Sequence, residues 1–329
     1  MRSISHSQGP CLTEVTYAGR IGSTLKHETT VSLARTDDVV RGFYQIRLDV
    51  SKVTDFSRFV IFQIGADTYS YTRERKMAMG DKTGLLKEWD AQWGGSTYRT
   101  SPLECRGQIP WVSLHQGEPH DQAIGSWANR GFVIRSWKAK LGGKDASPWM
   151  AEHGTTIDRN DTSTIDIVPP PGVTRLEPGD FIEATIEHII VPQFAKDYYG
   201  PNQGLRDALT RDENTWRIIH REAVENEVTV KMETGSLLRL HPDVRVRASK
   251  GSARLNLLGG LGHIPITFTG LPSHRGHVLK IDGVALDQSV HGNDFWQTDY
   301  DSSTRSWSCT FNIPATGKKN RIIHLQTQP

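Results

Sequence analysis

The stretch Val39-Val-Arg-Gly-Phe-Tyr-Gln-Ile-Arg-Leu-Asp-Val50 decides the fold, because it alternates with a period of two over its whole length. Val40, Gly42, Tyr44, Ile46, Leu48 and Val50 fall on one side; Arg41, Phe43, Gln45, Arg47 and Asp49 fall on the other. Such a segment is a half-buried strand whose polar side looks outward or into a groove. Working outward, Phe59-Val-Ile-Phe-Gln-Ile-Gly65 is apolar on both faces, which predicts a central strand covered on both sides. Strand patterns recur at 29–33, 111–114, 132–137, 164–168 and 181–191, separated by Gly, Pro, Asn and Asp clusters. Many strands with irregular connections predict an all-β chain whose large domain is a β-sandwich, supersandwich-like in extent.

One segment departs from this rule. From Asn202 to Glu225 good helix formers dominate, and Leu205, Leu209, Trp216, Ile219 and Ala223 recur at helical spacing, which predicts one helix over about 202–225. Strand patterns then resume at 244–248 and 254–258. Val278-Leu-Lys-Ile-Asp-Gly-Val-Ala-Leu286 reads as a hairpin with Asp282-Gly283 at its turn, and a second hairpin is expected over 296–313. The expected organisation is a large β-sandwich domain at 1–226, ending in the helix, and a small β-sandwich domain at 227–329.

Composition narrows the function. The 329 residues carry 39 Lys+Arg against 37 Asp+Glu, a formal charge of +2, with both signs scattered, so no basic stripe for nucleic acid is present. The N-terminus has no apolar run of the kind a secretory signal needs. The uncharged stretch 255–274 contains Gly, Pro and His, so no membrane-spanning helix is expected. A periplasmic or extracellular location is expected if the chain is a piece of an exported protein, and a cytoplasmic one otherwise. Three distant cysteines and the absence of any CxxC pair argue against a disulfide framework and a zinc site. P-loop, dinucleotide, zincin and nucleophile-elbow motifs are missing, and Asp158-Arg-Asn-Asp161 lacks the Gly and closing Glu of an EF-hand, so neither metal nor cofactor is expected.

The strongest positive signal is aromatic. Trp89, Trp93, Trp111, Trp127, Trp137 and Trp149 crowd into one stretch, out of nine Trp in the chain. Several stand beside Gly and polar residues, as in Glu88-Trp-Asp-Ala-Gln-Trp-Gly94 and Gly125-Ser-Trp-Ala-Asn-Arg-Gly131, which are loop contexts where binding residues collect. Indole faces stack on the apolar faces of sugar rings, and a neighbour such as Arg130 bonds hydroxyls or pairs with a carboxylate or sulfate; core packing is the competing role for each Trp. Tyr69, Tyr71 and Arg73 follow the predicted central strand and form a Tyr/Arg edge suited to an acidic sugar.

In Phe181-Ile-Glu-Ala-Thr-Ile-Glu-His-Ile-Ile-Val191, Glu183 and Glu187 share a face about 13 Å apart. That exceeds both the ~5 Å spacing of a retaining glycosidase pair and the ~6.5–9.5 Å spacing of an inverting one. His188 interrupts the opposite, apolar face, where desolvation would keep it a neutral base. Tyr199 and Asn202 lie in the loop just after. A His, a Tyr and a charge-neutralising Asn or Arg form the set that β-elimination on a uronate needs: a base for the C5 proton, an acid for the leaving oxygen and a stabiliser of the enolate charge. His115, and the polar loop Ser289 to Tyr300, are further candidates.

A large β domain with Trp-rich loops, one helix, and a small β domain with hairpins such as Leu279-Lys-Ile-Asp-Gly283 resembles the β-sandwich regions of bacterial polysaccharide lyases and glycoside hydrolases. The resemblance covers the layout of most of the chain and carries no family-defining motif, so no catalytic residue transfers with it. It implies a carbohydrate-active protein that acts on or binds an acidic polysaccharide or oligosaccharide, by β-elimination or hydrolysis. The alternative is a non-catalytic glycan-binding or structural module of a larger protein. The lyases it resembles place a helical toroid before the sandwich, and this chain has none, so another domain or chain would supply the missing parts.

Overall fold

A computed structural model describes residues 2–7, 9–34, 39–67, 75–91, 102–116, 129–157, 160–192, 194–286, 296–315 and 317–327. The fold is an all-β sandwich, as the alternation predicts. Its main layer is an antiparallel sheet in the spatial order Arg2–Ser7, Leu12–Ile21, Leu25–Ala34, Val40–Val50, Phe181–Ile190, Arg130–Leu141, Trp111–Gln116, Arg75–Asp81 and Gly84–Asp90, with Lys144–Asp145 added to Arg130–Leu141. The deciding stretch sits inside this sheet, Tyr44 pairing with Val31 on one side and Ile186 on the other. Its apolar parity makes the inner face, covered by a second antiparallel sheet of Phe62–Asp67, Asn160–Val168, Trp149–Ile157 and Leu103–Glu104. Ile46, Leu48, Val112, Phe132, Ile134 and Ile186 meet Ile64, Met150, Ile165 and Ile167 in the core between the layers.

Two expectations are corrected. The run Phe59–Gly65 does not form a central strand: its strand begins at Phe62 and lies at an edge, paired only with Asn160–Val168 among the described residues. Its apolarity on both faces has another cause, since Phe59 and Ile61 precede the strand and fold over the rim of the core, Phe59 against the Phe56 ring at 5.4 Å. The helix expected over 202–225 is broken as well. An α-helix at Gln203–Thr210 ends in a turn with Asp212 at φ 52°, and a second begins at Thr215–Ile218 and continues as a π-helix over Ile219–Glu225. The break is local chemistry: Asn214 accepts from the Trp216 N–H and caps a new helix where the first could have continued.

The helical segment covers one end of the sheet's outer face. Trp111, Val133, Ile189 and Ala78 pack there against Leu205, Leu209, Ile219 and Val224. Among the described residues, the strands from Thr229 onward pair only with one another, in two five-stranded sheets around a core of Val246, Leu255, Ile266, Phe268, Phe311 and Leu325. Every pair in these sheets is antiparallel except Val244–Arg247 with His263–Leu271. The hairpin at Asp282-Gly283 forms as read, with both residues at positive φ, the conformation that matches the twist of its strands. Gln297 ties this sandwich to the first by accepting from the Cys11 and Leu12 N–H groups and donating to the Leu12 carbonyl. Glu14 adds a second tie, accepting from Arg239 and Arg245.

Candidate functional site

Of the residues singled out by sequence, Tyr69, Tyr71, Arg73, Trp93 and Trp127, with most of the loop before Trp296, lie outside the described residues. Three others have structural duties. Trp111 is fully buried, its Nε1–H donating to the Asp81 carbonyl at 3.0 Å and its ring stacked 6.1 Å from Trp216, so neither face is open to a sugar. Trp89 stands on the strand Gly84–Asp90, not in a loop. It leans on the inner core and donates to Glu152 at 3.2 Å. Asn202 is buried: its Oδ1 accepts from Leu205 N–H at the helix start and its Nδ2 donates to Glu222 at 3.0 Å. Loop-like sequence around a Trp, and a polar residue after a strand, look the same whether they serve a ligand or a cap.

The three acid/base candidates do not converge. His188 pairs across the sheet with Phe132 and Gly42 and leaves from the inner face. His115 shares the parity of Trp111 and Ser113 and leaves from the outer face. Tyr199 is 78% exposed in the loop before the helical segment, and its neighbour Tyr198 packs in the outer-face cluster. His115 and His188 therefore cannot attend the same bond in a substrate. His115 is held in a buried relay, Nδ1 at 2.9 Å from Ser113 Oγ and Nε2 at 3.2 Å from Glu88 Oε1.

His188 is mostly buried, and its Nε2 finds no hydrogen-bond partner. Desolvation, reinforced by the Arg130 guanidinium, lowers its pKa to about 4. Below pH 6.5 the unfolded chain therefore takes up a proton that the native state refuses until about pH 4. Stability is fully present above pH 6.5 and falls, by on the order of 2–3 kcal/mol, as the pH drops to 4. His188→Phe should flatten this part of the profile in urea titrations at a series of pH values; an unchanged slope would refute the assignment.

Glu187, paired in the sequence with Glu183, lies in a quite different place. At the covered end of the outer face Glu187 is wholly buried between two arginines. Arg41 Nε reaches its Oε1 at 2.6 Å and Arg135 Nε its Oε2 at 2.7 Å. Arg135 reaches it because a bulge between Ile134 and Ser136 puts Arg135 on the outer face in addition to Ser136. Arg41 also donates to the carbonyls of Leu261 and His263, and Arg135 to that of Ala223, so the triad joins the sheet, the helical segment and the small sandwich. Burial alone would raise the Glu187 pKa, but Arg135 and Arg41 outweigh it and hold the group at about 2.

Beyond the triad the same outer face is open. The parity that buries Arg41 and Phe43 continues to Gln45 and Arg47, and that of Glu187 runs back to Thr185 and Glu183. The cross-strand register aligns Glu28, Arg47, Glu183 and Lys138 in one row and Thr30, Gln45, Thr185 and Ser136 in the next. These two rows floor a groove of about 470 Å³, within the size class of small-molecule sites. Arg47 and Glu183 approach at 3.5 Å and are 57% and 46% exposed, so both remain available to a ligand. Of this groove the sequence disclosed the polar side of Val39–Val50 and the face that Glu183 shares with Glu187; the rows across it depend on register between those two strands, more than a hundred residues apart. Among the described residues no cluster of His, Cys, Asp and Glu suits a metal, and no helix is long and apolar enough to cross a membrane.

The fold and groove define a class: a protein of two β-sandwiches that presents a polar, open sheet face. Neither known family models nor curated proteins match this chain.

Proposed function

We propose that this chain is a glycan-binding β-sandwich protein that holds a polysaccharide or oligosaccharide on the open outer face of its large sheet. The observation that supports this reading is the double row of hydrogen-bonding side chains across four strands, Glu28 to Lys138 and Thr30 to Ser136, flooring one groove. Carboxylates and guanidinium groups are planar and can bond two neighbouring hydroxyls at once, and Thr, Ser and Gln add donors and acceptors between them. A rigid sheet holds these groups in register before the ligand arrives, which lowers the entropic cost of binding.

Binding without turnover is favoured over a lyase or hydrolase because the acid/base candidates His115 and His188 leave the sheet on opposite faces. Titration calorimetry against a panel of polysaccharides, with unsaturated-uronate absorbance and new reducing ends followed in parallel, tests this. The expected result is heat of binding with no product, and Arg47→Ala or Glu183→Ala weakening the complex about tenfold, the effect of losing one charge-assisted hydrogen bond. Silence towards every glycan, or binding indifferent to both substitutions, would sink the proposal, and product formation would replace it with an enzymatic one.

A further inference from the structure

A second cleft, of about 550 Å³, opens on the other side of the bulged strand, walled by the loop Glu104–Pro110 and by Ala146–Pro148. The two clefts share Ser136 and Trp137. The bulge at Ile134/Ser136 produces this junction, since it turns Ser136 outward into the first groove while Trp137 returns to the inner parity at the strand's flank. Trp137 is anchored by its Nε1–H, which donates to the Ala146 carbonyl at 2.8 Å; its half-buried side chain packs on the edge of the inner core, and the residue borders both clefts. The opposite wall of the second cleft includes Ile109 at φ 54°, a left-handed conformation that β-branched residues rarely adopt. Backbone held in such a state is found disproportionately at binding sites.

The charges lining this space balance. Arg47 and Lys138 face Glu28 and Glu183 in the first groove. In the second Arg106 is bonded to Glu104 at 2.6 Å, and Arg135 is committed to Glu187. No surplus cation remains among these lining residues for a uronate or sulfate, whereas neutral hydroxyls suit a lining of alternating donors and acceptors.

Resting on the glycan-binding reading, we infer that the two clefts form one trough that takes a neutral oligosaccharide chain passing over Trp137. Calorimetry with gluco-, xylo- and manno-oligosaccharides of two and six units, beside hyaluronan and polygalacturonate hexamers, tests the inference. Some neutral hexamer should bind at least tenfold tighter than its dimer and than either acidic hexamer. Trp137→Phe and the exposed Arg106→Ala, which leaves the core untouched, should each remove most of that length advantage, with thermal melts verifying folding. Equal affinity for dimer and hexamer, preference for the acidic chains, or a length advantage that survives both substitutions would overturn the trough and leave glycan binding standing. Failure of every glycan to bind would overturn the trough together with the reading beneath it.

Discussion

Glu187→Ala is expected to destabilise the protein by about 3–5 kcal/mol, the cost of stranding buried charge that has lost its partner. The carboxylate pairs with both Arg41 and Arg135 at 2.6 Å, against a longer 3.5 Å approach of Glu227 to Arg135, and both guanidinium groups are almost wholly buried. Removing it leaves two cations at the junction of the sheet, the helices and the small sandwich, with His241 stacked on Phe43 beside them. Urea denaturation at pH 7 measures the loss; a change under 1 kcal/mol would show that the triad is solvated. The triple replacement Arg41→Met, Glu187→Leu, Arg135→Met should cost less than the single one, because it leaves no buried guanidinium group without its carboxylate. It leaves the Leu261, His263 and Ala223 carbonyls short of donors and takes from the partly exposed Glu227 its 3.5 Å pair with Arg135. Because the native pKa near 2 lies below the ordinary glutamate value of 4.5, the contribution of Glu187 is fully present above pH 4.5 and is lost as the pH falls towards 2. That window lies below the His188 window, so the two contributions separate in a pH series.

Trp111→Ala is expected to cost a further independent 3–5 kcal/mol, the usual range for removing a large aromatic from a packed core. The indole fills the space between the sheet and the helical segment, stacked nearly parallel to Trp216 and 5.9 Å from the His220 ring. The substitution also removes the donor to the Asp81 carbonyl. Trp111→Phe should cost less, since it keeps part of the packing and loses only that bond and one ring. Thermal melts of the two variants test the order. If Trp111→Ala left the melting temperature unchanged, the helical segment would not be docked on Trp111 as the structure has it.

How far the sequence reaches is clearest along single strands. The alternation of Val39–Val50 established the strand, its inner face and the polar side that floors the groove, because side-chain direction follows backbone parity and nothing else. The Asp282-Gly283 turn was equally legible, since its positive φ angles are a local demand on residue type. The broken helix was less so. A helical period can run through a segment while one Asn side chain restarts it, a competition within a single turn that the apolar spacing does not register.

Tertiary structure alone decided what each face meets. Glu183 and Glu187 share a parity and are four residues apart, yet one floors an open groove and the other is sealed between arginines. What seals it comes from Ala223, Leu261 and His263, distant in the chain. The same holds for the tryptophans: Trp111 and Trp137 look alike in sequence, but one is fully buried and the other half-buried at the core's edge beside two clefts, since burial depends on which layer is laid over the strand. Periodicity is a property of one segment and is written in its residues. Register, bulge and coverage are relations between segments, set by packing free energy summed over the whole sandwich.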